Sequence, residues 1–240
     1  MKIAVIIPSR YGSSRFPGKS LILIKGKPVV QYVLEKIKMC KNIDFFAVAT
    51  DDQRIYNVVK NLGFNAFMTL KNCKTGTDRI AFVAKKFLKD YNIFINVQCD
   101  EFLLNSKSVD RLAISFKNDK HLEYATLACH INKQSAIKNP NIVKVVFDKN
   151  KYALYFSRFA IPYNRDIKKI KHYKHIGIYG YQRKVLLKFS RIRMSSLEIA
   201  ENLEQLRALE NKIKIKIIVV RDNSLSIDVP EDVLKVEEIC

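Results

Sequence analysis

The chain has 240 residues, 48% of them apolar and 28% charged, which suits one large globular domain with a full core, or a domain with a smaller lobe. No apolar run approaches the roughly 18–20 residues of a membrane span. The net charge of +20 raises nucleic acid as a partner, but residues 1–100 already hold 17 Lys and Arg against 7 Asp and Glu, and Lys outnumbers Arg 31 to 12. The excess is spread along the chain, so nucleic acid is not an expected partner.

The start, MKIAVIIPSR, has too short an apolar core for a secretion signal and reads as a buried strand, so the expected location is the cytoplasm. After it, PVVQYVLEKIKMC (28–40) carries apolar residues at helical spacing. DFFAVAT (44–50) is a strand, and DDQRIYNVVKNLG (51–63) is a helix opened by an Asp cap and stopped at Gly63. FNAFMT is a strand, LKNCKTGT a polar loop, DRIAFVAKKFLKDY (78–91) a helix, and IFINVQ (93–98) a strand apolar on both faces.

The second half is richer in strands: YATLACHI (124–131), VKVVFD (143–148), YALYFSR (152–158), HIGIYGYQ (175–182) and IKIIVV (215–220), with a turn at Lys149–Asn150. Between them, SSLEIAENLEQLRALE reads as one helix with a capping box from Ser195 to Glu198 and with Leu203, Leu206 and Leu209 towards the core. SIDVPEDVLKVEEI places Asp228 before a last helix with Pro230 at its first position. RDIKKIKHYK (165–174) reads as a solvated basic loop. The five cysteines (Cys40, Cys73, Cys99, Cys129, Cys240) form no CxxC pair, which argues against a zinc site or a disulfide framework.

Strands alternating with helices predict an α/β fold with a mostly parallel sheet flanked by helices. Ligands of such sheets sit beyond the carboxyl ends of the strands. The loops at 8–19, 50–52, 69–77 and 98–105 start at such ends and should converge, bringing together Arg10, Arg15, Lys19, Asp51, Thr75, Gly76, Gln98 and Asp100. The first loop, SRYGSSRFPGKSL, is neither a Walker A loop nor GxGxxG. Its three cations suit a triphosphate of about four negative charges.

That loop resembles the RxxSxRxPGK signature of sugar cytidylyltransferases, read here from Arg10 to Lys19. VATDD, TGTDRIA, NVQCDE, NPNIVKVVFD, YALYFSR, HIGIYGY, LEQLRALE and IDVPED follow in the order found in the 3-deoxy-D-manno-octulosonate (Kdo) cytidylyltransferases. The resemblance covers nearly the whole chain. It implies a nucleotide-diphospho-sugar-transferase-like fold: a nucleotide-binding part (about 1–120), an inserted mixed β portion for sugar binding and dimerisation (about 121–228), and a C-terminal helix returning to the core.

The implied reaction transfers CMP from CTP to Kdo, for lipopolysaccharide assembly, with Mg²⁺, no organic cofactor and a homodimer. Ser9, Arg10, Arg15, Lys19, Thr75, Gly76, Arg79 and Gln98 would bind CTP, with Arg10, Arg15, Lys19 and Asp100 as the catalytic set. Asp100 and Asp228 would hold the metal, as hard oxygen ligands from distant segments. Arg158, His175, Tyr179, Glu204 and Gln205 would line the sugar site, Arg158 meeting the carboxylate. Capping of the helix at 78 is a second reading for Thr75 and Thr77. Two positions depart from the family's usual NVQGDEP: Cys99 stands for its glycine and Phe102 for its proline. Related acids, such as the 8-amino analogue of Kdo or a nonulosonate, remain open as substrates. A basic nucleic-acid-binding protein on the same fold is the rival from another class.

Overall fold

The computed structural model describes residues 1–12, 16–165 and 170–221. Arg15, Asp228 and the helix expected from SIDVPEDVLKVEEI lie outside these residues.

Strand β1 (Ile3–Ser9) is buried along its whole length. It pairs in parallel with β4 (Phe45–Thr50) and β6 (Ile93–Asn96), and β4 pairs in parallel with β5 (Ala66–Met68). On the other side of β6 lie β10 (Tyr173–Gln182), β7 (Tyr124–His130) and β11 (Lys216–Val219), giving the order β11-β7-β10-β6-β1-β4-β5. Strand β10 runs antiparallel to both its neighbours, whereas β11 is parallel to β7. The expected α/β fold, with a mostly parallel sheet, is therefore present. Among the described residues the second half builds no separate sheet: only the antiparallel hairpin of β8 (Lys144–Phe147) and β9 (Ala153–Ser157) branches away, from β10.

Alternation along β1 sends Ile3, Val5 and Ile7 to one face and Ala4 and Ile6 to the other. The first face is covered by α1 (Val29–Lys38), α2 (Gln53–Asn61) and α4 (Ser106–Asn118), through Val33, Ile37, Ile55, Val59, Leu112 and Phe116. The second is covered by α3 (Gly76–Lys86), α6 (Arg183–Phe189) and α8 (Glu204–Glu210), through Ile80, Val83, Leu186, Phe189 and Leu206. Helix α2 is capped by the Asp52 side chain on the Arg54 amide at 2.9 Å and is followed by Gly63 at φ 79°. The described residues also hold two short hairpin strands, β2 (Leu23–Ile24) and β3 (Lys27–Pro28), and a short helix, α5 (Gln134–Lys138).

The expected helix from Ser195 to Glu210 is two helices, α7 (Ser196–Glu201) and α8. Glu198 does accept from the Ser195 amide, at 3.3 Å. The break falls at Asn202, which adopts the left-handed conformation (φ 53°, ψ 49°) that asparagine tolerates better than most residues. Leu203 is then extended, and α8 starts in a new direction.

Strand β10 packs on α4 at a glycine. A Cβ added at Gly180 would clash with the Phe116 ring. Gly180→Ala is expected to destabilise the protein by about 1–3 kcal/mol through overpacking, read as a lower urea midpoint. An unchanged midpoint would contradict the contact.

Candidate active site

The carboxyl ends of β1, β4, β5 and β6 meet at the first turn of α3. Its sequence, TGTDR, gives each side chain a separate job. Thr75 caps the helix by accepting from the Asp78 amide at 3.1 Å, and Asp78 accepts from the Thr75 amide at 3.0 Å. Gly76 lies close under Pro8: a Cβ there would be 3.1 Å from Pro8 Cγ. Thr77 does not cap the helix but donates to Glu204 Oε2 at 2.7 Å. Arg79, 2% exposed, bonds the Thr69 hydroxyl after β5 and Asp51 after β4, the latter at 3.0 Å.

These loops enclose a cavity of about 250 Å³ lined by Ser9, Arg10, Lys19, Thr75, Gly76, Arg79, Gln98 and Asp100. All the described residues expected to bind CTP thus share one space. Pro8, Ser20, Cys73, Lys74 and Cys99 also line it. Ser20 and Lys74 adjoin residues singled out in the sequence, but only the fold shows that they face the same space. A larger groove of about 770 Å³ lies elsewhere, between α1, the start of α4 and Val220–Arg221. It contains none of the converging loop cations and adjoins the point from which residues 222–240 continue.

The charged opening loop is pinned at its base. The Gly18 amide donates to the Tyr11 carbonyl at 2.8 Å. Gly18 has φ 70°, and a Cβ there would lie 2.9 Å from the Tyr11 ring, so both conformation and space require glycine. Arg54 stacks on the same ring at 3.4 Å. Phe16 packs against a small cluster of Ile24, Val29 and Phe102. Phe102 is 1% exposed and its ring lies 4.4 Å from Tyr32, so this departure from the family pattern has become the loop's apolar anchor.

Lys19 and Asp100 form a direct ion pair, each side chain less than one-fifth exposed. Cys99, the second departure, is buried in the core beside them. Burial pushes its thiol up to about 12, with the nearby Ser9 pulling the other way. It therefore stays protonated and acts as a small apolar group rather than a nucleophile. Among the described residues no group of three or more His, Cys, Asp or Glu could hold a metal ion. Asp100 is the described member of the expected metal pair; it can contribute one carboxylate.

The five expected sugar residues do not line this cavity; they gather around β10 and the α7–α8 break. A bulge between Ile176 and Tyr179 brings the His175 and Tyr179 rings to 5.4 Å, whereas four residues of straight strand would span about 13 Å. Tyr179 donates to Gln205 Oε1 at 3.2 Å, and the Gln205 amide nitrogen is buried with no partner among the described residues. Burial raises the Glu204 pKa, against the Thr77 hydrogen bond and the charge of Arg207. Arg158 lies on the carbonyls freed where α7 ends: Nε donates to Glu201 O at 2.7 Å and the two terminal nitrogens to Pro140 O and Asn202 O. These bonds use three of the five N–H donors of a guanidinium. Thr77–Glu204 is the bridge from this group to the cavity.

The Thr126 hydroxyl has one proton, and Ile178 O accepts it at 2.8 Å. Ile176 O lies 3.2 Å and His175 Nε2 3.0 Å from the same oxygen, so Thr126 ties the bulge to the imidazole. Burial, helped by the charge of Lys174, lowers the His175 pKa to about 3.

The cytidylyltransferase family pattern matches residues 4–215. A 3-deoxy-manno-octulosonate cytidylyltransferase of Thermodesulfovibrio yellowstonii is 50% identical, over 98% of this chain and 96% of the relative. This chain belongs to that family. An 8-amino-3,8-dideoxy-manno-octulosonate cytidylyltransferase of a Shewanella species is 44% identical, over 99% of this chain and 98% of its own. The solved structure of a CMP:2-keto-3-deoxy-manno-octonic acid synthetase complexed with CTP superposes with a TM-score of 0.94. It is 39% identical and covers all of this chain and 98% of its own.

Two outcomes follow for this Kdo-cytidylyltransferase relative. A histidine kept neutral in the fold stabilises fully above its unfolded pKa near 6.5 and loses that contribution as pH falls towards 3. Urea unfolding at pH 7.5 and pH 5 should show a larger loss on acidification in the wild type than in His175→Asn; equal losses would contradict the buried neutral ring. Cys99→Gly should hold or raise activity. A large fall in turnover would show that the thiol has a role of its own.

Proposed function

We propose that the protein transfers CMP from CTP to Kdo, giving CMP-Kdo for lipopolysaccharide assembly and releasing pyrophosphate. The observation that carries this reading is the cavity at the strand ends, where Arg10, Lys19, Thr75, Gly76, Gln98 and Asp100 meet. The full-length likeness to Kdo cytidylyltransferases supports it.

In this reaction the anomeric hydroxyl oxygen of the sugar forms a bond to the α-phosphorus and its proton is released to solvent. The bond from that phosphorus to the bridging oxygen breaks, and its electron pair leaves with pyrophosphate. Arg10 and Lys19, with Arg15, neutralise the triphosphate and the departing charge. Gln98 offers both a donor and an acceptor to the ribose or base, and Thr75 and Gly76 present the N-terminal end of α3, which favours anions. Asp100 suits Mg²⁺, which commonly takes one or two carboxylates and completes its shell with substrate phosphates and water; Asp228 is the second proposed ligand. The ion would supply charge neutralisation at the phosphates. Lys19 holds the Asp100 carboxylate in the cavity meanwhile.

The group around His175, Tyr179, Glu204, Gln205 and Arg158 is the proposed sugar side. Its neutral histidine, amide and carboxylate offer mixed donors and acceptors for hydroxyls, and the remaining Arg158 donors suit a carboxylate. A homodimer belongs to the proposal. Leu154, Phe159, Tyr163 and Ile199 are each more than 60% exposed, on β9, the chain after it and α7, and are the apolar side chains a subunit contact would cover. No described helix is long and apolar enough to cross a membrane, and the cytoplasm, where CTP is at hand, is the proposed site of action.

Purified protein with CTP and Mg²⁺ should release pyrophosphate when Kdo is added, and not with neuraminate. Release with the 8-amino analogue alone would move the substrate to that acid, and silence with all three would sink the reading. Asp100→Ala should abolish turnover with its melting temperature unchanged. A normal rate in that variant would remove Asp100 from the catalytic set.

A further inference from the structure

Ser20 is the middle residue of a 3-10 turn, Lys19–Leu21, and lines the cavity next to Lys19 and Asp100. The residue is 2% exposed, and its Oγ has no hydrogen-bond partner among the described residues. Buried hydroxyls are almost always bonded, so this one is kept for something that enters the cavity. The turn itself is held by backbone bonds: the Leu21 amide donates to Gly18 O at 2.8 Å and the Ile22 amide to Lys19 O at 3.3 Å. The hydroxyl therefore rests on a fixed support rather than a loose loop.

The surroundings decide what it meets. Arg10, Lys19 and Lys74 line the same space, and its one lining carboxylate, Asp100, is already paired with Lys19. A cationic cavity with a spare O–H donor selects an anionic oxygen.

We propose that Ser20 Oγ donates a hydrogen bond to a phosphate oxygen of the bound nucleoside triphosphate, fixing the triphosphate beside Lys19. This rests on the reading of the cavity as the CTP site. Ser20 is thus a further substrate-binding residue, one that the signature from Arg10 to Lys19 stops short of.

The test compares wild type with Ser20→Ala, by calorimetric titration of CTP and by competition with cytidine, which has no phosphate. Removing an unpartnered hydroxyl should leave the melting temperature unchanged. CTP affinity should fall about 10-fold, with cytidine affinity unchanged and the KM for CTP rising more than kcat falls. Wild-type CTP affinity in the variant would overturn the proposal and give the hydroxyl to water. Equal losses for CTP and cytidine would overturn it in favour of a structural role. If the wild type binds CTP and only the variant result fails, the cavity reading survives; if the wild type binds neither CTP nor cytidine, both fall.

Discussion

The buried guanidinium of Arg79 is the interaction on which the site depends. A charge with almost no solvent contact must be paired, or it costs several kcal/mol. Here its partners are Asp51 after β4 and Thr69 after β5, so satisfying one charge ties two strand ends to the first turn of α3. Once that turn is fixed, Thr75 and Gly76 face the cavity and Thr77 reaches Glu204 on the far side. Arg79 lines the strand-end cavity, but these bonds engage it as a brace of the walls.

The proposed sugar side is built from interruptions of regular structure, each with its freed backbone groups accounted for. The bulge in β10 brings His175 and Tyr179 together, and the Thr126 hydroxyl takes up the Ile178 carbonyl that the bulge leaves out of the ladder. The break at Asn202 ends α7 early, and Arg158 takes up the carbonyls of Glu201 and Asn202. A straight strand and an unbroken helix would hold neither ring pair nor redirected Glu204. Regularity is given up at the positions where side chains must be aimed, as expected of a functional region.

Much of this was legible in the sequence, and for physical reasons. Apolar runs such as KIAVIIP carry no competing signal because a strand buried on both faces needs none, and the parallel order then dictates that loops at 8–19, 69–77 and 98–105 converge. The split at Asn202 was not legible, since SSLEIAENLEQLRALE keeps helical spacing through the break and a single left-handed residue decides it. Helix α4 does carry its signal at Val109, Leu112, Ala113 and Phe116, but Ser and Lys in its first turn blur the start. The Phe102 exchange could be seen in the sequence; its meaning, an anchor against Tyr32 under the charged loop, needed the fold. The placement of Ser20 and Lys74 in the cavity needed it too, because sharing a cavity is a property of three loops at once.

The central claim is that CTP enters the small, strand-end cavity rather than the larger groove beside Val220 and Arg221. Amide hydrogen exchange with and without CTP separates the two directly. The account predicts slower exchange at residues 8–20, 74–79 and 98–100 on CTP addition, with residues 105–111 and 219–221 unchanged. Protection confined to 105–111 and 219–221, with the opening loop exchanging as before, would contradict it.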